Sequence, residues 1–296
     1  MSGVTRLRFD EVRLVDHVDR LEHEHPPIDL DSVDFTVRDP ATLATRFGHV
    51  LDYMARVELE VDRNVLELMT MLPDPPEVDR RFYADVWQPQ EIRHGLILDQ
   101  LQTRLGRPPA TPDTDTVSAK VKVLGALGRI DRLQDVTRML YYLTGMATER
   151  SAVLAYNLLH DGVRGLGERA VSETIVAPIK RQEPGHYAFY QLSARGLAAQ
   201  LATWQTWLVC RLRAISFAPV GVNNDDQRAD FGDVMGTLGI HDDVTAFAES
   251  ISRVERDLLW AHEEGMRVPP YVLAAFRSAA EAAQERALRL RAPGRR

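Results

Sequence analysis

The sequence predicts an all-α protein, a bundle of long helices with additional helices at its N- and C-terminal ends. Three observations carry this. Apolar residues recur at spacings of three and four, as in Val50, Met54, Val57, Val61, Val65, Leu68 and Leu72. Clusters of proline and glycine punctuate these stretches at helix-length intervals. Sustained apolar/polar alternation, the mark of a half-buried strand, is absent from the chain.

Element by element, residues 1–41 are dense in charge and carry Pro26, Pro27 and Pro40, which reads as an N-terminal arm with one short helix. The first long helix is expected over 42–72, stopped by Pro73, Asp74, Pro75 and Pro76, because proline cannot continue a helix. A second runs over 78–105 and ends at Gly106, Arg107, Pro108 and Pro109. After a polar loop at 110–116 comes a connecting helix over 117–127. A third long helix follows over 131–159, ended by Asp161, Gly162 and the glycines at 165 and 167. The fourth covers 168–201 and either runs on or restarts through 204–215. Residues 219–226 read as a loop, and 244–265 and 270–291 as helices wrapping the bundle. The expected organisation is an arm (1–41), a helical bundle (42–216) and a C-terminal helical extension (217–296).

The chain of 296 residues is long enough to bury a sizeable core. Its 45% hydrophobic and 27% charged residues are ordinary for a globular protein. A formal net charge of -7 argues against a nucleic-acid partner, which usually goes with a basic excess. Cys210 is the single cysteine, so no intramolecular disulfide can form. The first 25 residues hold no apolar leader segment. The most apolar stretch, 197–209, is interrupted by Gln200 and Gln205 and followed by Arg211, so it is too short and polar to span a bilayer. A cytoplasmic protein without a membrane partner is expected. Neither a P-loop nor a dinucleotide-binding glycine fingerprint is present.

Chemistry concentrates on the four strongest helices. Glu58 lies on the first, Glu91 and His94 on the second, Glu149 on the third, and Glu183 and His186 on the fourth. One Glu from each of two helices, with Glu-x-x-His from each of the other two, is the ligand pattern of di-iron carboxylate sites in ferritin-like bundles. Residues i and i+3 share a helix face, so each Glu and His can reach one metal-binding region. Four carboxylates balance two divalent cations; without them, ionised glutamates in a bundle core would be very unfavourable. The arrangement repeats: Glu58 and Glu91 are 33 residues apart, Glu149 and Glu183 34. Two iron ions are therefore the expected cofactor, with manganese an alternative at one position because oxygen-rich sites accept it. Glu60 rivals Glu58, but Glu58 lies on the apolar stripe and Glu60 on a more polar flank. A third Glu-x-x-His, Glu22 to His25, sits in a charged segment before Pro26 and reads as solvated surface. Pro184, inside the fourth-helix motif, is expected either to kink or bulge that helix or to sit in the first turn of a new one starting near Gln182.

The segment Trp87-Gln-Pro-Gln-Glu-Ile-Arg-His-Gly95 resembles the acyl-carrier-protein desaturases, which have Trp, three residues, Glu, one residue and Arg-His-Gly. The pair Glu149-Arg150 followed by small residues is similar to that family's third-helix segment, and the fourth helix keeps Glu-x-x-His. The resemblance covers residues 50–201, about half the chain. It implies that Glu58, Glu91, His94, Glu149, Glu183 and His186 bind two ferrous ions that reduce dioxygen (O2) and oxidise an organic substrate. An acyl chain on an acyl carrier protein would be that substrate, and a ferredoxin-type protein the electron donor. A homodimer is the expected assembly. Three positions depart from the family. Gln90 and Gln182 stand where it often has an acid just before the ligand Glu, and Ala152 stands where it has a threonine thought to assist dioxygen activation. These departures leave the reaction outcome open more than the metal site, with an arylamine N-oxygenase or small-molecule hydroxylase on the same site as the alternative; readings from other classes are an iron-storing ferritin homologue and a metal-free structural bundle. Tyr141, Tyr142, Tyr156, Tyr187, Phe189 and Tyr190 cluster near the ligands and read mostly as core, with a substrate cavity or a radical carrier as the alternatives. Trp204 and Trp207 read as core or dimer contacts. Lys120, Lys122, Arg129, Arg132, Lys180, Arg181, Arg211 and Arg213 read as solvated residues or a surface for an acidic carrier.

Overall fold

A computed structural model of the protein describes residues 9–72 and 74–291, without the side chains of residues 9–11 and Lys120. Pro73 as a helix stop, Lys120 as part of a basic surface and the first eight residues of the segment read for a leader lie outside the described residues. The regular structure is helical, with no strand among the described residues.

The N-terminal segment forms a 16-residue helix, α1 (Phe9–Glu24). Helix α2 (Pro40–Leu59) begins where Asp39 accepts a hydrogen bond from Thr42 N at 3.0 Å and Pro40, with no N–H to lose, fills the first turn. The expected helix over 42–72 is interrupted. Glu60 leaves helical geometry (φ -77°, ψ 4°) and α3 (Val61–Met71) restarts behind it. Arg56 and Arg63 hold the two Glu60 oxygens at 2.7 and 2.8 Å and pin the break. One residue is too little to disturb the apolar period, so the pattern alone does not reveal it.

A short helix α4 (Glu77–Arg81) leads through a wide π turn (Phe82–Trp87) into α5 (Gln88–Arg104). A second π turn (Val171–Val176) leads into α8 (Ala177–Ala198). In both, the residue before a proline donates to the carbonyl five positions back, Gln88 N to Tyr83 O and Ala177 N to Ser172 O. The wider turn accommodates the rings and missing donors of Pro89 and Pro178. Pro184 neither bulges the helix nor marks a restart, because α8 is continuous across it. The widened turn lies upstream at Pro178 instead.

Ser118 caps α6 (Ala119–Gly128) by accepting from Val121 N. Helix α7 (Gln134–Gly165) runs through the expected stop at Asp161-Gly162. A Cβ on Gly162 would meet the Phe47 ring at 2.5 Å, so this glycine permits close packing rather than a turn. Helix α9 (Thr203–Ser216) is separate from α8. No element is expected over 227–243, yet α10 (Asp225–Thr237) forms there, starting inside the expected loop at 219–226 and capped by Asn224. Helix α11 (Val244–Leu259) ends earlier than expected, at Trp260, and α12 (Pro270–Arg291) covers its expected range.

Helix α2 lies along α5 and α7 along α8, forming the two main pairs of an all-helical bundle. Helix α1 packs on α8, α10 on α2 and α12, and α9 and α11 on α7. The apolar interior divides into two clusters. One holds Leu51, Ile97, Tyr156 and Ile179, the other Val61, Trp87, Met146 and Phe189. Trp204 and Trp207 are not core, being 48% and 59% exposed. Arg213 is not part of a basic surface; it is buried and paired with Glu255 at 3.0 Å. No helix among the described residues is long and apolar enough to cross a membrane.

Candidate metal centre

On α2, α5 and α8 a short polar interval separates the two apolar clusters, and on α7 the clusters meet at Met146 and Ala147, just before Glu149. Glu58 lies between Ala55 and Val61, Glu91 and His94 between Trp87 and Ile97, Glu149 between Met146 and Tyr156, and Glu183 and His186 between Ile179 and Phe189. The six residues form a buried layer, and both imidazoles are fully enclosed. Their side chains make two overlapping groups, Glu58, Glu91, His94 and Glu183, and Glu91, Glu149, Glu183 and His186. Within each group the nearest oxygen or nitrogen atoms lie within 4.8 Å of one another. Glu91 and Glu183 belong to both.

The atoms that face inward are Nδ1 of each histidine and carboxylate oxygens. His94 Nδ1 lies 3.2 Å from Glu183 Oε1 and 3.9 Å from oxygens of Glu58 and Glu91. His186 Nδ1 lies 2.8 Å from Glu91 Oε1, 3.7 Å from Glu149 Oε2 and 3.8 Å from Glu183 Oε2. Despite these short separations, neither Nδ1, nor Glu91 Oε1, nor either Glu183 oxygen has a hydrogen bond of acceptable geometry. Unpartnered buried polar atoms are rare and costly. Here they converge on one centre, and their chemistry, carboxylate oxygen with imidazole nitrogen, suits divalent iron or manganese. The donor set could therefore hold a metal ion.

The outer faces of both histidines and of Glu58 and Glu149 are held by the protein. Gln182 Oε1 accepts from His94 Nε2 at 2.7 Å, and Gln90 Oε1 accepts from His186 Nε2 at 2.8 Å. The amide groups of the same glutamines donate to the N-terminal segment, Gln90 to His25 O at 2.6 Å and Gln182 to Pro26 O at 2.7 Å. Tyr156 donates its hydroxyl to Glu58 Oε1 at 2.5 Å, and the Trp87 indole donates to Glu149 Oε1 at 3.1 Å. Holding Nε2–H in this way fixes the tautomer that leaves Nδ1 for a cation.

The electrostatics match a site built around positive charge. Burial works against charge on both imidazoles, but the facing carboxylates outweigh it, pushing His94 up to about 9 and His186 well above its ordinary value. Burial drives Glu91 well above the carboxylate range, with Glu58 and Glu183 adding to it, and drives Glu149 to about 7 against His186. Glu183 is opposed by burial yet held down to about 2 by the two imidazoles. Protons thus do the neutralising when no cation is present, and cation binding would release them.

Glu60, the rival to Glu58, is buried but engaged by Arg56 and Arg63 and belongs to neither group. Arg150 does not pair with Glu149; it lies over the Tyr187 ring. Glu22 is exposed and pairs with Arg81, while His25 contributes its backbone carbonyl. Ser151 Oγ donates to Ala147 O, whereas Thr148 lines a cavity beside Glu149. Sequence reasoning did not find the roles of Gln90, Gln182, Tyr156 and the Trp87 indole. The signal for the glutamines was present: both halves read Gln-Glu-x-x-His.

Comparison of the chain with protein-family models, curated proteins and solved structures returns no match.

Proposed function

We propose that the protein is a ferritin-like, non-haem di-iron oxidoreductase that activates dioxygen to oxygenate or desaturate an organic substrate. One observation carries the reading: unpartnered atoms of Glu91, His94, Glu183 and His186 face one buried centre, in two four-residue groups that share both acids. The pair of iron ions, when bound, supplies the electrons for dioxygen reduction and the oxidising power used on the substrate. Glu91 and Glu183, common to both groups, would help to hold both ions. Glu58 and His94 would complete one side, and Glu149 and His186 the other. Tyr156 and Trp87 keep the outer carboxylates oriented. A cavity of about 440 Å³ reaches Glu149 and gives a substrate access to this side of the centre. The sequence resemblance to desaturases favours an acyl substrate with a carrier protein and a ferredoxin-type donor. The glutamines and Ala152 favour a different outcome, such as small-molecule hydroxylation or arylamine N-oxygenation.

The test is metal analysis with spectroscopy on the wild type, His94→Ala and Glu183→Ala. About two irons per chain are expected in the wild type, from the ligand count, with loss of at least one in each variant. Full loading in both variants would refute the ligand assignment. Gel filtration separates an enzyme from a storage protein, because storage requires a large hollow assembly.

A further inference from the structure

The cavity that touches Glu149 has two unlike walls. Glu60, which precedes α3, and Arg63, Asn64 and Glu67 of α3 form a polar wall. Trp87, Tyr141 and Tyr190 contribute aromatic surface. Arg63 is only 6% exposed, and its Nε–H has no hydrogen-bond partner among the described residues. Its Nη2 is already committed to Glu60, whose other oxygen is held by Arg56. Burial raises the Glu67 carboxyl above its ordinary range, with Arg63 opposing.

Given the di-iron reading, on which this step rests, we infer that the cavity selects a compact, neutral aromatic molecule with a hydrogen-bonding edge, such as an aromatic amide or phenol, rather than a fatty acyl chain. Hydrocarbon laid along α3 would leave the buried Arg63 Nε–H without a partner. A carbonyl or hydroxyl edge would supply the acceptor that the Arg63 Nε–H lacks. Charge points the same way. Arg63 faces three acids in the lining, Glu60, Glu67 and Glu149, so an added carboxylate would be repelled. The remaining surface mixes aliphatic side chains such as Val57, Met71, Val121 and Leu140 with Trp87, Tyr141 and Tyr190, on which a planar ring can stack or edge. The volume lies within the range of small-molecule sites. Arg63 is then the residue that sets specificity.

The experiment is calorimetric titration of the full chain, with and without added ferrous iron, using 4-hydroxybenzamide as the aromatic probe and octanoyl-pantetheine as the acyl probe. The wild type should bind 4-hydroxybenzamide at least tenfold more tightly than octanoyl-pantetheine. Arg63→Met should weaken the aromatic probe at least tenfold and leave or improve octanoyl-pantetheine binding. Glu67→Gln, a smaller perturbation at a partly buried position, should weaken the aromatic probe without affecting the fold. Absent binding of 4-hydroxybenzamide, tighter binding of octanoyl-pantetheine, or unchanged aromatic binding in both variants overturns the assignment whatever the iron content. Aromatic binding in a chain that never takes up iron supports the cavity assignment and counts against the di-iron reading instead.

Discussion

A histidine can offer Nδ1 to a cation only if its Nε2–H is satisfied elsewhere, and in this protein neutral glutamines from the opposite half do that work. Gln90 holds His186, and Gln182 holds His94, each tied in turn to the backbone at His25 or Pro26. Because the arrangement is crossed, the two glutamines have separable effects. Gln90→Leu strands the His186 Nε2–H and should weaken the ion on the Glu149 side by about 10- to 100-fold, the usual cost of losing such a partner. Gln182→Leu should do the same to the ion on the Glu58 side. Gln90→Glu should recover affinity by restoring an acceptor. Titration with ferrous or cobaltous ion, read by absorbance, checks this; equal weakening of both ions in each variant would contradict it. Asp79 gives a residue-scale prediction outside the centre. Burial pushes its carboxyl up from 3.8 to about 6, with the Tyr142 hydroxyl, 2.6 Å away, opposing. The folded state therefore binds this proton more tightly than the unfolded chain. The group's contribution to stability is present below pH 4, declines as pH rises to about 6 and stays low above it, by about 3 kcal/mol in all. Asp79→Asn should remove that decline, so its melting temperature relative to wild type should rise between pH 4 and 7 in a thermal scan. A constant difference across that range would rule the mechanism out.

At the scale of elements, glycines decide how closely the helices approach. Gly95 of the Arg-His-Gly segment would, with a Cβ, meet Leu59 Cγ at 2.6 Å, so α5 can lie against α2 only because that atom is missing. Gly232 plays the same part between α10 and α12, where a Cβ would come 2.1 Å from the Ala279 carbonyl oxygen. A clash with backbone cannot be relieved by a rotamer change. Gly232→Ala should therefore destabilise by about 1–3 kcal/mol, as overpacking does; urea unfolding measures it, and an unchanged midpoint would show that α10 and α12 separate freely. These glycines also explain what the sequence concealed. The long helices were legible because their apolar stripes are regular, and the six buried acids and histidines because the two halves repeat. Helix α10 was hidden because glycine signals a break by itself and close packing only with its neighbour in view. The break at Glu60 was hidden because one non-helical residue leaves the stripe in phase. The anchoring carbonyls of His25 and Pro26 had no signature at all, since every residue carries a backbone oxygen.

At the scale of the whole molecule, a polar layer divides two dry clusters, and the C-terminal helices close over the result. Their main polar attachment is Arg213 of α9, fully enclosed, which pairs with Glu255 of α11 through both carboxylate oxygens and donates to Leu143 O and Thr144 Oγ1 of α7. Glu255 also accepts from Tyr271 of α12. Four helices thus meet on one ion pair, far in sequence from the motifs and indistinguishable there from surface charge. Removing one partner leaves a buried charge uncompensated, which costs about 3–5 kcal/mol, whereas replacing both with apolar residues is often neutral. Arg213→Met should accordingly lower the melting temperature sharply, and Arg213→Met with Glu255→Met should recover much of the loss. Thermal unfolding of the single and double variants gives the coupling directly. Additive losses would mean that α9 and α11 are held to α7 by apolar contact alone, with the pair adding nothing specific.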